Sequence, residues 1–385
     1  MIMSKKLSIW AASVMFASTS LMAAPQFAWV GTYSPNGEGV YRFDMDNQTG
    51  QLTNKVLAAP LTNAAQLVLS HNGKVLYAGS ETEKGTIHAW KINTDGSLQA
   101  LNNVPSGGDG PVYLSLTPDG RYLLVANYHS GAVSVLPIQD DGSLQPASDI
   151  IQHEGPAGAA YPEAAVEGSF AISDHNGPHA HMIATDPSGK YVFTTDLGLD
   201  RIYQYKLDQK NGKLIANDPP YIMASSKGAG PRHFVFSKLD GHVWLVNEEA
   251  STLTQYQFDK QKGLLQEGTT VSSLPDNYKG TNFISGIVES QDGQHLYVGN
   301  RLYNSIAHFN INKDGSLSKP TQTWTRGDYP RTLTLSPNGK YLYAMNQRSD
   351  NITRFSVDAN SGELKFVDDY VPIGAPSQMV INEAK

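Results

Sequence analysis

The chain has 385 residues, no cysteine and a formal net charge of −7 at neutral pH. Without cysteine there can be no disulfide framework, no thiolate nucleophile and no zinc ribbon. Without a basic surplus or a run of like charges there is no field to hold nucleic acid, and nucleic-acid binding is not expected.

The first segment reads as a leader. Lys5 and Lys6 give a positive start, Leu7 to Phe16 form an apolar stretch too short to span a bilayer, and Ala17, Ser18, Ala23 and Ala24 precede Pro25. This is the layout of a secretory signal peptide over residues 1–23, cut after Ala23. The expected mature chain, residues 24–385, is then a single domain, periplasmic or secreted. No later segment approaches the length of a membrane span.

Beyond the leader the chain repeats. An alternating segment that ends in a glycine turn recurs seven times: EGVYRFDMDNQTGQL, GTIHAWKINTDGSL, GAVSVLPIQDDGSL, DRIYQYKLDQKNGKL, STLTQYQFDKQKGLL, NSIAHFNINKDGSL and DNITRFSVDANSGEL. The turn glycines are Gly50, Gly96, Gly142, Gly212, Gly263, Gly315 and Gly362, spaced 46 to 52 residues apart except for one gap of 70. Period-2 alternation closed by Asp-Gly or Asn-Gly is a hairpin signal. A second element, a glycine turn followed by a short β-rich run, precedes six of the seven copies, as in PDGRYLLVAN and PNGKYLYAMN. Four short strands per period predict an all-β fold, a seven-bladed β-propeller. FAWVGTY near the start lacks a preceding strand and APSQMVIN near the end lacks a following one, so the two termini are expected to close one blade together. The long gap falls between Ile151 and Pro178. It is rich in Gly, Pro, Ala and Glu, and it is expected to form a long surface loop over one face, where loops of this length tend to be functional.

Blade geometry locates a candidate site. The first strand of each blade starts at the face to which the second strand returns, so these ends should meet at one mouth of the central channel. First-strand starts give Gln66, Tyr113, His179 with His181, Arg232 with His233, Ser285, Arg331 and Gln378. Second-strand ends give Thr32, Glu81, Asn127 with Tyr128, Asp196, Asn247 with Glu248, Asn300 with Arg301, and Asn346 with Gln347. Single Asn or Gln residues at such positions commonly pin loops. The combination of His179, Arg232, Glu248 and Arg301 is different, because arginines buried at one mouth require an anion. The set suits an anionic or polyhydroxylated small molecule.

At these residues the sequence resembles a known family. GPHAH (177–181), DLGLDR (196–201), GAGPRH (228–233), VNE (246–248), NR (300–301), YPR (329–331) and NQRSDN (346–351) match the propeller lactonases in order and in blade position, as do VGTY with EGVYRF and LLVANYHSG. That family includes 6-phosphogluconolactonase and the fungal carboxymuconate cyclases, and the resemblance runs from about Phe27 to Asn382. It implies seven blades and chemistry on a cyclic ester, opening or forming it. Carried over by position, the catalytic set is His179 or His181, Arg232, Glu248 and Arg301. His181, His233, Glu81, Asn127, Tyr128, Asp196, Arg331 and Gln347 are expected to bind substrate. One departure stands out: ISGI (284–287) has Gly286 where family members often carry an acid.

For hydrolysis, His179 or Glu248 would take a proton from water attacking the ester carbonyl, while Arg232 and Arg301 hold the oxyanion or a substrate anion. Export argues against a phosphorylated sugar lactone, a cytosolic intermediate, and for an unphosphorylated lactone. Alternatives are a lactone-forming cyclase, a non-catalytic binding propeller, and a metal site on His175, His179 and His181, of which the latter two share a face if the strand alternates regularly. No cofactor or metal is expected. GxSxG, P-loop and HExxH motifs are all absent.

Overall fold

The computed structural model describes residues 26–170 and 175–382. The expected leader, residues 1–23, lies outside them. Among the described residues there is no helix, only strands and turns. The first three strands are β1 (Gln26–Thr32), β2 (Gly39–Met45) and β3 (Leu52–Pro60). Blade 1 follows as β4 (Ala64–Leu69), β5 (Val75–Ser80), β6 (Thr86–Ile92) and β7 (Leu98–Pro105). Blade 2 is β8 (Pro111–Leu116), β9 (Tyr122–Asn127), β10 (Ala132–Pro137) and β11 (Asp149–Gln152). Blade 3 is β12 (Ala180–Thr185), β13 (Tyr191–Asp196), β14 (Arg201–Asp208) and β15 (Lys213–Met223). Blade 4 is β16 (Pro231–Phe236), β17 (His242–Asn247), β18 (Thr252–Asp259) and β19 (Leu264–Ser272). Blade 5 is β20 (Phe283–Glu289), β21 (His295–Arg301), β22 (Ser305–Asn310) and β23 (Thr321–Trp324). Blade 6 is β24 (Pro330–Leu335), β25 (Tyr341–Asn346), β26 (Asn351–Val357) and β27 (Leu364–Pro372), and the last strand is β28 (Pro376–Ile381).

Each blade is a four-stranded antiparallel sheet, and blade 7 has the order β28-β1-β2-β3, so the termini do close one blade. The innermost strands touch in a ring, β4 to β8, β12, β16, β20, β24, β28 and back to β4. The apolar core is correspondingly divided. Seven buried clusters lie one between each pair of neighbouring blades, such as Phe193, Leu245 and Tyr256 between blades 3 and 4. A blade cannot bury both of its faces alone, so closure of the ring completes the core.

The repeated turn glycines have a second role that periodicity alone does not show. Each turn packs against the second strand of the preceding blade. At Gly263 φ is +68°, and an added Cβ would lie 1.9 Å from the Tyr191 ring. Only glycine meets both the left-handed backbone and this close approach. Tyrosines of the same strands complete the joint: Tyr77, Tyr297 and Tyr343 donate their hydroxyls to the carbonyls of Gly142, Gly362 and Gly50 in the next blade.

The innermost strands share one further device. Each carries a β-bulge near its start, and the residues skipped in the pairing are Ala65, Val112, His181, Arg232, Ser285 with Gly286, Arg331 and Ser377. A bulge breaks the two-residue alternation and re-aims a side chain. Here it does so where the strands open onto the channel mouth. The long connection after β11 lies over blades 3 to 5, tied down by Gly158 N to Gly198 O, Glu163 N to Lys227 O and Gly280 N to Glu167 O.

Candidate active site

The mouth is lined by side chains that meet across blade boundaries. On one side, Arg232 from the β16 bulge and Arg301 at the end of β21 converge on Glu248, just past β17. Arg232 Nε and Arg301 Nη2 both lie 2.7 Å from the same Glu248 oxygen, Oε2. Each guanidinium is anchored again on main chain, Arg232 Nη1 to Ser285 O and Arg301 Nη2 to Ile284 O, both at 2.7 Å. All three side chains are buried. Burial and the neighbouring Arg301 lower the Arg232 pKa to about 9. Burial would raise the Glu248 carboxyl, but Arg301 and Arg232 outweigh it and hold the group below the usual carboxylate range.

Next to this trio sit two imidazoles, His181 and His233, 5.0 Å apart and edge-on. Tyr128 packs edge-on against His181 and Tyr113 against His233. Both imidazoles are pushed well below the ordinary histidine value, first by burial and then by Arg232. Both are therefore neutral at neutral pH. His181 Nδ1 is buried and has no hydrogen-bond partner.

The opposite side of the mouth is built differently. Arg331, from the β24 bulge, donates to the Tyr33 hydroxyl at 2.6 Å, and that hydroxyl donates to Glu81 Oε2 at 2.5 Å. His129 Nε2 stands 3.8 Å from the other Glu81 oxygen. On this side, where blades 6 and 7 meet, a cavity of about 510 Å³ opens, lined by Tyr33, Tyr329, Arg331, Gln347 and Arg348. A larger cavity of about 790 Å³ lies at the other end of the strands between blades 1 and 2. Turn residues of mixed charge such as Lys74, Asp119 and Arg121 line it, and no perturbed pair comparable to the mouth occurs there.

The structure therefore brings His179, His181, Arg232, His233, Glu248, Arg301, Glu81, Tyr128, Arg331 and Gln347 to the mouth. Two of the expected substrate-binding residues are elsewhere and the expectation is corrected. Asn127 is fully buried in the blade wall and donates to the carbonyls of Ser106 and Ala132. Asp196 is also fully buried, 2.8 Å from His153 Nδ1, and accepts from the backbone N–H groups of His179 and Leu199. The physical reason is register: Asn127, Asp196, Asn247, Asn300 and Asn346 occupy equivalent, fully buried positions in the wall near the ends of the second strands, and in most blades the mouth is reached by the following residue, as with Tyr128, Glu248 and Arg301. The same rule replaces Thr32, whose hydroxyl is spent on Gly39, by Tyr33. Tyr329 was also not singled out as a site residue, although YPR contains it.

His179 differs from His181 in being fully engaged. Its Nδ1 lies 2.9 Å from Tyr128 O and its Nε2 2.7 Å from Asn176 Oδ1, with Tyr128 stacked on its ring. His175 turns away towards Asp200, 3.6 Å off. The three histidines of the metal alternative thus have different surroundings, and among the described residues no group of three His, Asp or Glu side chains is placed to hold a metal ion. Glu249 also turns away from the arginines. It is buried without a partner, and burial, Glu248 and Asp200 raise its pKa well above the usual range. As for Gly286, a Cβ there would meet Leu333 N and Thr332 Cα at 3.2 Å, so the adjoining blade fills the space an acidic side chain would leave from.

The comparisons agree with this architecture. The family model described as lactonase, 7-bladed beta-propeller, matches residues 27–381. A 6-phosphogluconolactonase of Bacillus subtilis is 32% identical over 353 residues, 90% of this chain and 96% of the relative. A 6-phosphogluconolactonase of Formosa agariphila is 27% identical, covering 92% of this chain and 96% of its own. The solved periplasmic gluconolactonase of Pseudomonas aeruginosa superposes with a TM-score of 0.85 at 27% identity, over 94% of this chain and all of that one. The chain belongs to the seven-bladed β-propeller lactonase family.

Proposed function

We propose that the protein is a periplasmic or secreted hydrolase that opens an unphosphorylated sugar-acid lactone at this mouth. The observation that carries the reading is a neutral imidazole, His181, with an unpartnered ring nitrogen beside two guanidiniums already fixed by one carboxylate.

The geometry distributes the roles. Glu248, held as a carboxylate by two arginines, is a weak base, and His179 has both ring nitrogens engaged. His181 is left to take a proton from water as the water oxygen attacks the lactone carbonyl carbon. Arg232 and Arg301 receive the charge that develops on the carbonyl oxygen, already desolvated and oriented before the reaction. The bond from the carbonyl carbon to the ring oxygen then breaks. His181 returns its proton to the departing oxygen, and the product is the open hydroxy acid. Glu81, Tyr33 and Arg331 supply acceptors and donors for the hydroxyl groups of the sugar ring.

Two observations favour the plain lactone. The N-terminal residues have the layout of an export leader, and the similar Pseudomonas aeruginosa structure is titled a periplasmic gluconolactonase. The curated relatives named 6-phosphogluconolactonase favour the phosphorylated one. Acid release by the purified protein from glucono-δ-lactone and from 6-phosphogluconolactone decides between them. Faster turnover of the plain lactone is expected. Turnover of neither, with the β-fold verified by circular dichroism, would overturn the reading in favour of a binding propeller.

A further inference from the structure

Tyr329 sits in the turn just before β24, and its backbone has φ of +62°. The same left-handed turn precedes the innermost strand at Asn63, Gly110, Gly230 and Ala375, so the turn belongs to the fold, and what distinguishes this blade is the bulky ring placed on it. Its surroundings fix the turn: the Tyr329 N–H donates to Asn304 Oδ1 at 2.9 Å, while its carbonyl accepts from Gln347 N at 3.1 Å. The ring is thereby delivered to the mouth against two guanidiniums. Arg348 lies 3.8 Å from its centroid and Arg301 5.1 Å, and Arg301 Nη1 is 3.3 Å from its hydroxyl.

The division of labour within Arg301 gives this contact its meaning. Nη2 is spent on Glu248 and on Ile284 O. Nη1 has the Tyr329 hydroxyl as its hydrogen-bond partner, at a long distance that a bound ligand can tighten or displace. Resting on the function proposed above, we infer that Tyr329 is a positioning residue. It aims Arg301 Nη1 at the oxyanion and holds Arg348 over the open side of the cavity.

Three variants test this. Tyr329→Phe keeps the ring and removes the hydroxyl, and is expected to lower kcat about tenfold with little change in KM, the loss of one hydrogen bond to a charged group. Tyr329→Gly relieves the backbone strain, so it should lose more activity than Tyr329→Phe while unfolding at no lower temperature. In an Arg301→Lys background, Tyr329→Phe should have no further effect, because the aimed group is gone. An equal effect of Tyr329→Phe in both backgrounds, or activity falling only in step with melting temperature, would overturn the inference. If the unaltered protein opens no lactone, the proposed function fails, and the same variants are read by calorimetric binding of gluconate. A tenfold weaker affinity in Tyr329→Phe then supports positioning, and an unchanged affinity overturns it.

Discussion

The two sides of the channel mouth hold the same kinds of groups in opposite proportions. Around Arg232, Glu248 and Arg301 one carboxylate faces two guanidiniums, and positive charge is in excess. Around Tyr33, Glu81 and Arg331 one carboxylate faces one guanidinium through a phenol hydroxyl, and charge is balanced. The first arrangement stabilises negative charge that is absent from a neutral ester and appears as the reaction proceeds. The second offers a donor and acceptors to neutral hydroxyl groups. On the function proposed above, one side would serve the transition state and the other recognition, so matched substitutions on the two sides should have different kinetic signatures.

Arg232→Met should give the largest effect, a fall in kcat of about 10² to 10³ with the fold intact, as for loss of a preorganised oxyanion donor. Arg331→Met should raise KM while leaving kcat nearly unchanged. Steady-state kinetics on one lactone would settle the comparison, and equal losses of kcat on both sides would break it. Glu248→Gln comes next. It leaves two buried guanidiniums without their shared anion, a change expected to cost about 3–5 kcal/mol of stability in urea unfolding. Glu81→Gln keeps a hydrogen-bond acceptor for Tyr33 and should cost about 1 kcal/mol. Comparable losses for the two would mean that the Glu248 side carries no special charge burden.

The fold was legible because it is written seven times. Gly50, Gly96, Gly142, Gly212, Gly263, Gly315 and Gly362 mark the outer hairpins, and the unmatched strands at the two ends show where the ring closes. Most of the mouth could be read from the same logic, since strand ends converge in any propeller. What could not be read was which of two neighbouring residues faces the channel. Strict alternation puts His179 and His181 on one face, but the bulge at His181 breaks it, and the two imidazoles have different surroundings. Asn127 and Asp196 were misplaced for a related reason: β9 and β13 end on wall-facing positions. A local irregularity shared by all blades has no signature in hydrophobic period, because it shifts the register without changing the composition. Tyr329 escaped notice because its contacts with Arg301 and Arg348 join a turn to a neighbouring blade and to the next turn, which periodicity does not bring together.

A smaller effect isolates the recognition side. Tyr33→Phe removes one hydroxyl that accepts from Arg331 and donates to Glu81, leaving the ring under the Arg331 guanidinium 4.8 Å from its centroid. The expected outcome is KM raised about tenfold at most, with kcat and its pH dependence unchanged. The effect should shrink on a lactone lacking the hydroxyl this group meets, so a series of deoxy lactones would identify which ring position binds here. A fall in kcat of the Arg232→Met size would place Tyr33 in the chemistry and erase the distinction between the two sides.

The smallest change is also the most specific to the catalytic side. His181 has a folded-state pKa well below 6.5, from burial and then from Arg232. A base with a depressed pKa stays neutral as the pH falls, so the acid limb of kcat/KM should lie well below pH 6.5. The sign for stability is the same: below pH 6.5 the unfolded chain takes up a proton that the folded site resists, and stability declines as pH drops towards the folded value. His233 adds to this in the same direction. Replacing Arg232 by Met removes the largest of the charges that depress it, so the His181 pKa should move up towards 6.5, read from its imidazole NMR signals rather than from turnover. Arg331→Met should move it less, because Arg331 ranks behind Arg232 among the charges that depress His181. An equal shift in both variants would show that the two sides act on the imidazole as one field, and the separation into a reacting side and a recognising side would then hold for hydrogen bonding alone.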